Sequence, residues 1–224
     1  MTVLIFSFII KNVCYVTNVL NVRGVVMPPK AKYTKEEIVR AGLEIIRADG
    51  IHGLTARALG SKLGSSASPI FTVFQGMEEV LLEIVCAAKQ IYTEYLKIGL
   101  NQSDAPKFMN VGLQYIAFAS EEPKLFQILF MSEQQQKSTV TNLLPHIEDS
   151  YAQVLQSVQK SFNFNSTEAE LFYRHLWIYT HGLATLYATN MCVFSKEEVK
   201  QMLIDVGTAL IDRLHTNKLP GSSM

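Results

Sequence analysis

Cysteine is scarce in this 224-residue chain. The three present, Cys14, Cys86 and Cys192, are odd in number and far apart, which provides neither a disulfide framework nor a CxxC metal site and suits a reducing cytoplasm. The five histidines are scattered and form no HxxxH or HExxH pair, so no metal site is expected. Nucleophile–base spacings and glycine-rich phosphate loops are also missing, so the reading is a non-enzyme without a cofactor. Long apolar runs are absent as well. The stretch from Val3 to Ile10 is broken by Lys11 and Asn12, well short of the roughly 20 residues of a membrane span. It has no basic lead-in and no small-x-small cleavage site, which argues against a signal peptide. No membrane partner is expected.

What the chain does have is apolar content of 48% with 18% charged residues, enough for a real core. Its formal net charge is zero, but the charge is uneven. Residues 28–76 hold seven Lys/Arg against four Asp/Glu, a net +3, while residues 77–224 hold eleven against sixteen, a net −5. Positive charge confined to the N-terminal third suits a polyanionic partner there. Met27-Pro28-Pro29-Lys30 reads as a fresh beginning that leads through a short basic arm. Residues 1–32 are accordingly taken as an extension and arm, disordered or a misassigned start with Met27 the natural one.

Thr34-Lys35-Glu36-Glu37 is a capping box. Ile38, Ala41, Leu43, Ile45 and Ile46 follow on one helical face, and Asp49-Gly50 ends the helix. Thr55 then caps a short helix carrying Ala58, Leu59 and Leu63 and stopping at Gly64. Ser65 or Ser66 caps a third segment, predicted helical from Ala67 to Phe74, with Pro69 in its first turn and Ile70 and Phe74 facing inward. A long helix followed by two short ones across a glycine turn is the helix-turn-helix arrangement, and the second short helix would enter a DNA major groove.

The stretch Gly53-Leu54-Thr55-Ala56-Arg57-Ala58-Leu59-Gly60-Ser61-Lys62-Leu63-Gly64-Ser65-Ser66, with Ile70, Phe71 and Phe74 beyond it, resembles the TetR/AcrR family of bacterial regulators over about 45 residues. The resemblance implies that Thr55 caps and touches phosphate and that Arg57 contacts the DNA backbone. It also implies that Ser66, Ala67, Ser68 and Pro69 open the reading helix, with Phe71 and Thr72 at phosphate or base contacts. Two positions depart from the family pattern. Met77 stands where a lysine is usual, and Phe71 replaces a tyrosine, so two polar phosphate contacts are missing. The reading segment also lacks the Arg, Asn or Gln side chains that make bidentate base contacts.

From Glu78 onward the periodicity is helical nearly throughout. The expectation is an all-α chain. Residues 33–76 form a three-helix DNA-binding domain, 77–217 an effector-binding and dimerisation domain, and 218–224 a flexible tail. Ser103-Asp104-Ala105-Pro106 signals one helix start, Ser166-Thr167-Glu168 a second and Ser195-Lys196-Glu197-Glu198 a third; a polar loop is expected at 132–138 and a helix over 144–162. The last two helices carry broad apolar faces, which suggests a homodimer through them, as the resemblance also implies. Tyr92, Tyr115, Phe118, Phe126, Trp177 and His181 are the candidates for an apolar effector pocket. The resulting reading is a repressor bound to double-stranded operator DNA and released by an unknown small molecule. The competing one is a helical small-molecule-binding protein that has lost specific DNA binding.

Overall fold

The computed structural model describes residues 31–132, 139, 140, 144 and 150–216. The expectations for residues 1–30, most of the 132–138 loop, most of 144–149 and the 218–224 tail lie outside the described residues. Among those described there are eight α-helices and no strand, the all-α fold anticipated. The chain divides into two compact units. One ends at Ile91 and takes in the segment beginning at Glu122; the other comprises Tyr92–Glu121 and the last three helices.

In the first unit, α1 (Lys35–Asp49) begins as its sequence dictates. The Glu37 N–H donates to Thr34 Oγ1 at 3.2 Å, and the Thr34 N–H donates to Glu37 Oε2 at 2.8 Å. Gly50 closes it at φ 72, a conformation glycine adopts without penalty. Ile38 and Ile46 are fully buried, and a Cβ on Gly42 would collide with the Ile84 side chain. A 3₁₀ turn (Ile51–Gly53) leads to α2 (Ala56–Lys62), and a second 3₁₀ turn occupies Ser68–Thr72. The long α3 (Met77–Asn101) continues from the first unit into the second. The chain returns to the first unit as α5 (Pro123–Phe130), which packs on α1. Arg47 holds that packing with two donors to the Glu122 carboxylate at 2.8 and 2.6 Å.

The second unit is organised on α4 (Lys107–Glu121), which packs against α6 (Tyr151–Phe162), α7 (Ser166–Ala188) and α8 (Lys196–Thr216). Phe108, Phe162, Phe164 and Phe172 form a ring cluster with centroids 5.4–6.0 Å apart. α7 opens at Ser166 as anticipated, with Asn165 as its N-cap, because Asn165 and Glu168 form the reciprocal box at 3.0 and 2.8 Å. The Ser195–Glu198 box that opens α8 forms as anticipated. Between α7 and α8 the Tyr187 hydroxyl donates to the Phe194 carbonyl at 2.6 Å. Cys86 is buried, whereas Cys192 is a free, exposed thiol.

Candidate nucleic-acid interface and ligand cavity

Thr55 caps α2 through its Oγ1, which accepts from the Ala58 N–H at 3.1 Å. At the other end of α2, Gly64 takes φ 66 and the Ser65 N–H donates to the Gly60 carbonyl at 2.8 Å, turning the chain sharply. Gly60 makes the return possible. A Cβ there would lie 2.8–2.9 Å from the Ser66 and Ala67 backbone, so only glycine lets the reading segment lie directly on α2. The Tyr33 hydroxyl donates to the Leu63 carbonyl at 2.6 Å, and Lys32 Nζ reaches Ser65 Oγ at 3.3 Å. The sequence reading missed this strap from the arm to the turn, because a tyrosine just ahead of a capping box carries no marker of a contact 30 residues away.

The reading segment is a 3₁₀ turn, not the α-helix predicted over Ala67–Phe74. The Thr72 hydroxyl donates to the Pro69 carbonyl at 2.7 Å, and the Val73 N–H donates to Ile70 instead of continuing an α ladder. Ile70 and Phe74 are buried as expected and anchor the segment. Ser66, Ser68, Phe71 and Thr72 are exposed together with Thr55 and Arg57, while Ala67 and Pro69 are half-buried. Phe71 is 44% exposed, an unusual position for an aromatic ring with no obligation to the core. Lys62 is tied to Glu44 at 2.9 Å. Arg57 makes no hydrogen bond or ion pair among the described residues, so its guanidinium is available to an outside anion.

The structure brings five of the six ligand candidates together in the second unit. Tyr92 meets Tyr115 edge-on at 5.9 Å and Phe118 at 5.4 Å; Tyr115 lies 6.5 Å from Trp177. Trp177 and His181, one turn apart on α7, stack at 4.9 Å with their planes 10° apart. The Tyr115 hydroxyl and His181 Nδ1 share a hydrogen bond of 2.9 Å. Burial holds the His181 pKa below the ordinary imidazole value, so the ring is neutral near pH 7. Phe126 lies in the first unit, on α5, with its ring 5.0 Å from Phe130. Beside the Tyr115–Trp177 contact, α4 and α7 enclose a cavity of about 20 Å³, bordered by Phe108, Val111, Gly112 and Tyr115 on one side and Tyr173, Leu176, Trp177 and Thr180 on the other. That is room for about one water molecule. Gly112 and Thr180 were not singled out from sequence as site residues; nothing in a helical pattern marks a glycine as a gap facing a hydroxyl.

An all-α chain with an exposed reading segment on a helix-turn-helix, joined to a separate helical unit that holds an aromatic cavity, is the architecture of a one-component transcriptional regulator. Residues 108–206 match the family model described as "Tetracyclin repressor-like, C-terminal domain". The fold is similar to a TetR-like transcriptional regulator from Rhodococcus sp. RHA1 (TM-score 0.57, 14% identity, 81% of this chain and 96% of that one). It is also similar to a TetR-family regulator from Streptomyces coelicolor (0.57, 16%, 84% and 90%). A third likeness is to the fatty acid degradation regulator FadR from Bacillus halodurans (0.54, 16%, 84% and 97%). No curated protein matches the chain. The second unit thus carries a tetracyclin repressor-like domain, and the chain shares its fold with solved TetR-like transcriptional regulators.

Proposed function

We propose that the protein is a homodimeric repressor working in the cytoplasm, which binds operator DNA through Ser66–Thr72 and leaves it when a small molecule enters the α4–α7 cavity. The observation that carries this reading is the exposed edge formed by Thr55, Arg57, Ser66, Ser68, Phe71 and Thr72, set on a scaffold anchored by buried Leu59, Ile70 and Phe74. Thr55 and Arg57 meet phosphates. Ser66, Ala67, Ser68, Pro69, Phe71 and Thr72 face the groove, the serine and threonine hydroxyls hydrogen-bonding and Phe71 offering apolar contact to thymine methyl groups.

A single head of this size binds weakly, and two heads about 34–36 Å apart engage successive major grooves. Support for a twofold partner comes from the last two helices. Ile178 on α7 and Ile204 on α8 are 48% and 38% exposed, and Gly182, one turn beyond Ile178, has no atom within 4 Å of where a Cβ would stand. Ligand control follows as a population shift, in which the molecule binds one spacing of the heads better than the other. The chain itself supplies a route. The end of α4 at Glu121 adjoins Glu122, which Arg47 clamps to α1.

The uncharged reading segment also favours a second reading, a binding protein without specific DNA affinity. Titrating the dimer against DNA from its own promoter region at two salt concentrations separates them. The repressor reading predicts specific, salt-sensitive binding that a ligand abolishes; weak, sequence-blind association alone rejects it.

A further inference from the structure

The α4–α7 cavity also carries the chemistry of what enters it, if the reading of that cavity as the effector site holds. No lining residue bears a charge. Four of the eight, Phe108, Tyr115, Tyr173 and Trp177, are aromatic and offer faces and edges to a flat ring. The polar handle opposite the gap is Thr180, which is 4% exposed. Its hydroxyl proton is committed to the Leu176 carbonyl at 2.8 Å, so toward the cavity its oxygen acts as an acceptor. That oxygen lies 3.9 Å from the position a Gly112 Cβ would take, which places it across the empty space left by the glycine.

The cavity as it stands, about 20 Å³, is too small for any organic molecule; one that holds benzene measures roughly 150 Å³. Gly112 and Trp177 are the lining residues that are not buried, and only Trp177 has a side chain to move. Its indole is held by stacking on His181, a contact a flat ligand reproduces. We infer that the ligand is an uncharged, planar aromatic molecule with one hydrogen-bond donor, of the phenol or arylamine class, which enters by displacing the Trp177 indole and donates to Thr180.

Trp177 is the one tryptophan in the chain, so its emission reports on this site alone. Full-length protein is titrated with p-cresol, toluene, 4-methylbenzoate and 1-octanol, following Trp177 emission and the thermal midpoint. The expected result is saturable binding with p-cresol at least about tenfold tighter than the other three, because an unpaired buried charge and an unmet acceptor are both costly. Thr180→Val should remove the preference of p-cresol over toluene. Gly112→Ala, whose methyl meets Thr180 and Leu203 only at 3.8–3.9 Å, should keep the fold and lose the response. Tighter binding of 4-methylbenzoate or 1-octanol, still lost in Gly112→Ala, overturns the ligand class while the cavity stands as a binding site. Binding that ignores Gly112→Ala, or no binding to folded protein, overturns the inference altogether. The reading of the site as an effector site fails separately, if p-cresol binds as expected yet leaves operator affinity unchanged.

Discussion

Arg57 and Lys62 project from the same seven-residue helix, yet their circumstances differ. Lys62 neutralises Glu44 at 2.9 Å, whereas Arg57 is exposed and unengaged among the described residues. The phosphate contact proposed for Arg57 would therefore form without breaking an internal pair. Arg57→Ala is expected to weaken operator and non-operator binding alike and to lower the log–log salt slope by about 1. Lys62→Ala should change the slope by less, since Glu44 already screens that charge. Fluorescence anisotropy over a salt series checks both, and an unchanged slope in Arg57→Ala removes it from the phosphate contacts. His181 poses a different question, of proton uptake. Its stack on Trp177 favours a cationic ring, but burial outweighs it and lowers the pKa of the folded state. The unfolded chain then binds the proton more readily, so stability is full above the ordinary imidazole range and declines as pH falls from there toward the folded-state value. Urea unfolding between pH 7.5 and 5 should show that decline. His181→Gln, which retains an acceptor for Tyr115, should flatten it; an equal slope in the variant would place the titrating group elsewhere.

Among elements, the junction of α2 with the reading segment depends most on a single atom that is not there. Glycine inside a helix ordinarily costs about 0.5–1 kcal/mol relative to alanine. At Gly60 the preference inverts, because the atoms a methyl would meet at 2.8–2.9 Å are the Ser66 and Ala67 backbone, which has no rotamer to yield. Gly60→Ala is expected to destabilise by roughly 1–3 kcal/mol, the usual cost of overpacking, and to displace Ser66–Thr72, so that operator affinity falls further than the thermal midpoint implies. Retained affinity with a raised midpoint would contradict this packing. The same junction shows how far sequence could reach. Thr34, Gly50, Thr55 and Gly64 declared their roles, because caps and left-handed turns are local events governed by neighbouring backbone groups. The 3₁₀ form of Ser68–Thr72 was not legible, since it turns on the Thr72 hydroxyl claiming the Pro69 carbonyl, a geometry that spacing leaves open. Nor did periodicity separate Phe126 from the other five aromatic candidates. All six sit at core-like helical positions, and only the return of α5 to α1 assigns Phe126 to the first unit.

At the scale of the molecule, the proposed repressor requires two heads at a fixed separation, and the last two helices are the elements proposed to fix it. Both α7 and α8 meet α4 on one side, yet each keeps an isoleucine in solvent, Ile178 and Ile204. A monomer gains nothing from such exposure, whereas a twofold interface uses each residue twice, because the same patch serves both subunits. That doubling makes the interface easy to test. Ile178→Arg introduces two like charges near the axis while leaving the single-chain core untouched, since the side chain it replaces is half exposed already. The variant should retain its helical circular dichroism and thermal midpoint within the contribution the dimer makes. In sedimentation it should run as a monomer, and its operator affinity should fall by at least about a hundredfold, as one head alone retains chiefly the non-specific phosphate contacts. A folded Ile178→Arg protein that remains dimeric would move the interface away from this face. With it would go the proposal that α7, one helix, both walls the ligand cavity and sets the distance between the heads.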